Sequence, residues 1–178
     1  MSITPWKILE TKNLHPGIRV DRCELPNGYG LDAHLLEYDD EIMIFALTKR
    51  QEVVLIKQYR HGVRQAILEL PGGSVDEGET PLEAAKRELT EETGYASDIF
   101  IEVGHGSPNP AIYTNRIYSF LALDVEQIGK QSIYDAENIE VLLFPLDKVI
   151  SMAKRGDLIH SLNITTLFFA LDHLHRIS

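Results

Sequence analysis

One helix in this chain has both ends written into the sequence, and the rest must fold around it. Thr80 precedes Pro81, and Glu83 follows three residues after Thr80. The T-x-x-E pattern is a capping box, and proline suits the first helical position. Gly94 supplies the left-handed stop. Between them Leu82, Ala85, Leu89 and the aliphatic part of Lys86 recur at helical spacing, which predicts a helix over Thr80 to Thr93. Immediately upstream, Pro71-Gly72-Gly73 interrupts regular structure.

Strands are predicted before that break. Ile18 to Leu25 and Gly30 to Tyr38 flank the turn Pro26-Asn27-Gly28 and predict a hairpin. Glu41 to Leu47 and Val53 to Tyr59 are apolar strands separated by the polar turn Thr48 to Glu52, and Ile67 to Leu70 is a short one. After the helix, strands are predicted at Ile99 to Val103, Ile117 to Leu123 and Ile139 to Phe144. Helices follow near Leu146 to Lys154 and Ser161 to Leu174. This order predicts an α/β fold, a mixed sheet covered by helices. With 178 residues and no linker or repeat, the chain reads as one domain.

The predicted helix carries an unusual charge pattern. Glu88 and Glu92 are i and i+4, Glu88 and Glu91 i and i+3, so all three project into one sector. Like charges at that spacing cost a helix a few tenths of a kcal/mol per pair. A hard divalent cation, which favours several oxygen ligands, removes the penalty. Arg87 is placed to orient Glu91 or Glu79, and Gly72-Gly73 lets a backbone carbonyl approach the same point. The net charge of −10 calls for such a cation if the substrate carries phosphate. The same charge, with no basic stripe, argues against nucleic acid as a partner. The single Cys23 excludes an intrachain disulfide and a cysteine zinc cluster. No apolar run of membrane-spanning length and no signal-like N-terminus is present, so a soluble, cytoplasmic protein is expected.

From Gly73 the chain reads Gly, five residues, Glu79, seven residues, then Arg87-Glu88-Leu89-Thr90-Glu91-Glu92-Thr93-Gly94-Tyr95. This resembles the box of the Nudix hydrolase superfamily, departing only at Tyr95, where the family has a bulky aliphatic residue. The resemblance implies an α/β/α sandwich around a mixed sheet and hydrolysis of a nucleoside diphosphate linked to another group. It implies Mg²⁺ or Mn²⁺ held by Glu88 and Glu92, with Glu91 as a third carboxylate and a Gly72 or Gly73 carbonyl. Arg87 and Glu79 receive supporting roles.

Two further segments resemble the branch of ADP-ribose pyrophosphatases and nucleoside-diphosphate-sugar hydrolases: Gln58-Tyr59-Arg60 at a strand end, and Glu69-Leu70-Pro71-Gly72-Gly73 before the box. Arg60 is then expected on the substrate phosphates, and Pro110 falls where that branch has a proline beyond the box. The chain departs from the branch after Ser107-Pro108, with no acidic residue before Asp124. Asn115 and Arg116 are expected to contact substrate instead. Glu137 or Glu91 is expected to be the general base, with Asp135 and Glu140 as neighbours of Glu137. Trp6, Tyr29 and Tyr113 are the aromatics available to stack on a base. The resemblance also implies that residues 1–40 form an N-terminal antiparallel strand extension, an arm for a homodimer that carries Trp6 to the partner's site, ahead of a catalytic region over 41–178. Two alternatives are hydrolysis of nucleoside triphosphates or dinucleoside polyphosphates, with Gln58-Tyr59-Arg60 and the segment from Glu69 arguing against the triphosphates, and ligand sensing without catalysis, against which the complete set of box glutamates argues.

Overall fold

The computed structural model describes residues 4–132 and 139–176. The chain divides into two compact units, Met1–Asp39 with Ser107–Arg116, and Asp40–Gly106 with Ile117–Ser178.

The first unit is a three-stranded antiparallel sheet of β1 (Lys7–His15), β2 (Ile18–Glu24) and β3 (Gly30–Leu36), with β2 in the middle. The expected hairpin joins β2 to β3. Gly28 takes a left-handed φ of 82°, and its N–H donates to the Leu25 carbonyl at 2.8 Å. β1 falls within the strand extension expected over residues 1–40, but its own sequence pattern predicts no individual strand. All nine of its residues are exposed, so no face is buried and no alternation marks it. Buried Asp21 accepts from Thr11 Oγ1 at 2.7 Å, tying β2 to β1. Tyr113 forms an isolated bridge with Leu36.

The second unit is built on a seven-stranded mixed sheet. Its strands are β4 (Glu41–Leu47), β5 (Glu52–Arg60), β6 (Gln65–Glu69), β7 (Gly72–Ser74), β9 (Ile99–Gly106), β10 (Ile117–Leu123) and β12 (Ile139–Pro145). The short β8 (Tyr95–Ala96) and β11 (Glu126–Gln127) pair separately. The main path runs β12-β5-β4-β10-β9, with β6 on β5 and β7 on β4. Among the described strands of this sheet, only β4 and β10 pair in parallel. β4 explains the layering. Met43, Phe45 and Leu47 point into one core, and Ile42, Ile44 and Ala46 into the other. A strand buried on both faces needs a continuous apolar run, which is what Ile42 to Leu47 supplies. Helices α2 (Leu146–Arg155) and α3 (Ser161–His173) cover the first face, and α1 (Pro81–Thr93) the second. The fold is thus the expected α/β/α sandwich with a mixed sheet.

The ends of α1 are as expected. Thr80 and Glu83 form both bonds of the capping box, and Gly94 closes the helix at φ 72°. Its inner face differs from the expected one. Ala84, Ala85, Leu89, Glu92 and Thr93 are buried, whereas Leu82 and Lys86 are exposed. The helix is rotated so that its glutamate edge is partly covered, and Leu82 is turned outward. Among the described residues no helix is long and apolar enough to cross a membrane.

Candidate functional site

The site lies within the second unit, where α1 meets β4 and β7. A cavity of about 320 Å³ is lined by Glu41, Gln58, Arg60, Gly72, Gly73, Glu88, Glu92 and His160, among others. Two glutamates of α1 therefore reach one wall. Glu92 is 7% exposed, and its Oε2 accepts from the Gly72 N–H at 2.9 Å. The glycines fit because nothing larger would. A Cβ on Gly72 would collide with the Ile42 carbonyl, and one on Gly73 with the Glu88 carboxylate.

Arg87 organises the flank. Its Nε and Nη2 form a fork on Glu79 at 3.0 and 2.8 Å. Nη2 also reaches the Ser74 carbonyl at 3.0 Å, and Nη1 donates to Glu88 at 2.7 Å and Glu91 at 3.3 Å. Hydrogen bonding to Glu79, and then to Glu88, pushes the guanidinium pKa further above its ordinary value. The same bond from Arg87 holds the Glu79 carboxyl below its own. Arg87 thus fastens the loop before α1 to the helix and fixes Glu88. Glu91 is a partner of Arg87 but does not line the cavity. At 3.6 residues per turn it falls roughly 60° to one side of Glu88, and Glu92 roughly 40° to the other.

The remaining lining was not expected from the sequence, Arg60 and the two glycines apart. Glu41 heads β4, and burial raises its carboxyl pKa, opposed by the nearby charges of His160 and Arg60. Arg60 donates through Nε to Glu69 at 2.7 Å. His160, just before α3, brings Nδ1 to 2.8 Å from the other Glu69 oxygen, off the line of a straight hydrogen bond. Glu69 itself is 1% exposed. Burial works against its charge, but His160 and Arg60 outweigh it and leave the pKa below the ordinary value. The sequence signal for Glu41 and Glu69 is an acid at the end of an apolar strand. His160 carries no such signal.

None of the other expected residues that the structure describes is part of this lining. Trp6 is exposed, ahead of β1 in the first unit. Pro110, Asn115 and Arg116 belong to that unit too. Pro110 lies in an exposed turn, while Asn115 is buried and donates to the Asp39 carbonyl at 3.0 Å. Tyr29 is exposed, and Tyr113 packs on Tyr38 with ring centroids 5.8 Å apart. Glu140 pairs with Lys57. Asp135 and Glu137 lie outside the described residues.

Among the described residues no group of three or more His, Cys, Asp or Glu stands together as a ready metal cluster. The donor chemistry nevertheless suits a hard cation. Glu41, Glu88 and Glu92 and the glycine backbone give the cavity oxygen donors, and its lone imidazole faces Glu69. Glu88 accepts from Arg87 and Glu92 from the Gly72 N–H.

The chain is similar to proteins already known. The NUDIX domain model matches residues 37–163. An ADP-ribose pyrophosphatase of Bacillus subtilis (strain 168) is 26% identical over 136 residues, covering 76% of this chain and 74% of the relative. A methanol dehydrogenase activator of Bacillus methanolicus is 26% identical over 153 residues, covering 83% of each. The crystal structure of an ADP compounds hydrolase superposes with a TM-score of 0.85 at 21% identity, over 99% of this chain and 100% of that one, a likeness of fold.

Proposed function

The chain belongs to the NUDIX domain family and is a pyrophosphohydrolase, and on that premise we propose that it hydrolyses a nucleoside diphosphate sugar. ADP-ribose or a related ADP- or GDP-sugar is the substrate class, cleaved to a nucleoside monophosphate and a sugar phosphate. The observation that carries this is one cavity holding Glu88 and Glu92 together with Arg60. An acidic wall alone would repel a diphosphate, and an arginine fork is the side chain suited to bind one. The family's ADP-ribose pyrophosphatases are among the relatives at comparable length.

Glu88 and Glu92, with a Gly72 or Gly73 carbonyl, would hold Mg²⁺ or Mn²⁺. Such an ion supplies charge neutralisation on the diphosphate and a more acidic bound water. The protein's own part is orientation. Arg87 keeps Glu88 in place, the Gly72 N–H does so for Glu92, and Arg60 binds phosphoryl oxygens. One water adds across the P–O–P bond, and its proton passes to a carboxylate, Glu91 or Glu137. Trp6, Pro110, Asn115 and Arg116 are proposed to contact the rest of the substrate. Residues 1–40 are proposed to be a dimerisation arm, with Trp6 delivered to the partner's site. In support, β1 exposes Ile8, Leu9 and Leu14, apolar side chains without cover.

The test is product analysis with Mg²⁺ on a panel of ADP-ribose, GDP-mannose, diadenosine polyphosphates and nucleoside triphosphates. Monophosphate and sugar phosphate in equal amounts from a sugar nucleotide support the proposal. Preferred cleavage of a triphosphate refutes it. Sedimentation tests the arm: a fully active monomer at micromolar concentration rules it out.

A further inference from the structure

Glu69 is a buried acid with no place in the mechanism above. It ends β6, and its two oxygens face two side chains that line the cavity. Oε2 accepts from Arg60 Nε at 2.7 Å, and Oε1 lies 2.8 Å from His160 Nδ1. Arg60 comes from the end of β5 and His160 from the residue before α3. The three elements are locked together beside them. Asn163, 0% exposed on α3, accepts from the Leu70 N–H at 3.1 Å and donates to the Leu68 carbonyl at 3.4 Å. Glu69 therefore sits on a fixed segment and holds two partners whose outer ends are open. Arg60 is 47% and His160 32% exposed at the side chain. Arg60 spends Nε on Glu69, and among the described residues its Nη nitrogens make no hydrogen bond.

A fully buried carboxylate between two half-open basic side chains is best explained by what it holds in place. The cavity offers the reason. Glu41, Glu88 and Glu92 line it, and among the described residues Arg60 and His160 are its only basic side chains. We propose that Glu69 is a positioning residue that sets Arg60 and His160 as a two-pronged clamp for a phosphoryl group, with His160 as a second substrate contact beside Arg60. The clamp rests on the nucleoside diphosphate reading above. Arg60 offers its Nη pair to one phosphoryl oxygen or two. His160 offers Nε2, the nitrogen left when Nδ1 faces Glu69.

The test combines kinetics with binding in His160→Gln, Glu69→Gln and the double variant, each checked for folding by thermal melting. The expected result for His160→Gln is a KM raised about tenfold with kcat within about threefold, the pattern of lost ground-state binding. Glu69→Gln is expected to weaken both prongs, so adding His160→Gln to it costs less than about twofold more. Unchanged KM in folded His160→Gln overturns the clamp, as does full additivity in the double variant. Calorimetry with inorganic pyrophosphate separates this from the substrate reading. Wild type binding pyrophosphate about tenfold more tightly than His160→Gln supports the clamp even if no sugar nucleotide is turned over. Equal affinity, or no binding by either, overturns it even if ADP-ribose is hydrolysed.

Discussion

Replacing Arg87 by alanine should destabilise the metal-free protein by about 2 kcal/mol. The figure comes from what the guanidinium holds. Its fork on Glu79 spans 2.8 to 3.0 Å, and its bond to Glu88 is 2.7 Å. The Arg87 side chain is 26% exposed, and those of Glu79 and Glu88 are each 16%. Hydrogen bonds to charged groups contribute about 1.5–3 kcal/mol when the remaining partner stays dry. These carboxylates can rehydrate, so about 1 kcal/mol each for Glu79 and Glu88 is the appropriate scale. A loss of that size raises the unfolding constant roughly thirtyfold. Lysine keeps the charge but not the fork, so Arg87→Lys should recover about half. Urea unfolding in chelator measures this directly. The pH dependence checks the cause. Because Arg87 holds the folded Glu79 pKa below the unfolded value of 4.5, the pair's stabilisation is present above that value and is lost as pH falls through the folded one. The deficit of Arg87→Ala should therefore shrink on acidification. A deficit under about 0.5 kcal/mol at neutral pH, or one that grows toward acid, would refute the reasoning.

Three further perturbations probe other parts of the site. Gly72→Ala should destabilise strongly, by about 3 kcal/mol, because its Cβ meets the sheet carbonyl of Ile42, whereas Gly73→Ala meets only the movable end of Glu88 and should fold but lose activity. Circular dichroism melts and turnover together separate the two. Asn163→Ala should cost about 2–3 kcal/mol in urea, since it leaves the buried Leu70 N–H without its acceptor. Glu41→Gln should stabilise the metal-free protein at neutral pH by up to about 1 kcal/mol, because burial raises the folded Glu41 pKa and makes its ionised form costly. The wild type gains on this difference as pH falls, so the advantage of the variant should fade in acid; a constant advantage would contradict the cause.

Much of this was legible because it is local. The caps of α1 depend on residues within one turn of each end, and Thr80, Glu83 and Gly94 act where the sequence puts them. β4 is legible because both its faces are buried. β1 was not, since an exposed strand carries no burial pattern. Nor were β7, β8 and β11, which are two or three residues long and exist only through their partners. The misplaced Leu82 has a similar origin, because helical spacing gives a stripe and only packing decides which edge turns inward. In the site, Glu88 and Glu92 follow from helix geometry, one turn apart and side by side. Glu91 passes the same spacing test, yet it is held at the side by Arg87. Glu41, Glu69 and His160 meet only after β4, β6 and the start of α3 are assembled. No motif spacing records that meeting.

The most direct test of the account is hydrolysis of ADP-ribose in Mg²⁺ by wild type and by Glu92→Gln, with both products quantified. The wild type should give AMP and ribose 5-phosphate in equal amounts. A folded Glu92→Gln protein should have a kcat lower by at least about a hundredfold, since transition-state charge stabilisation is lost. A folded variant with most of its activity would contradict the central claim and move the chemistry away from the Glu88–Glu92 wall.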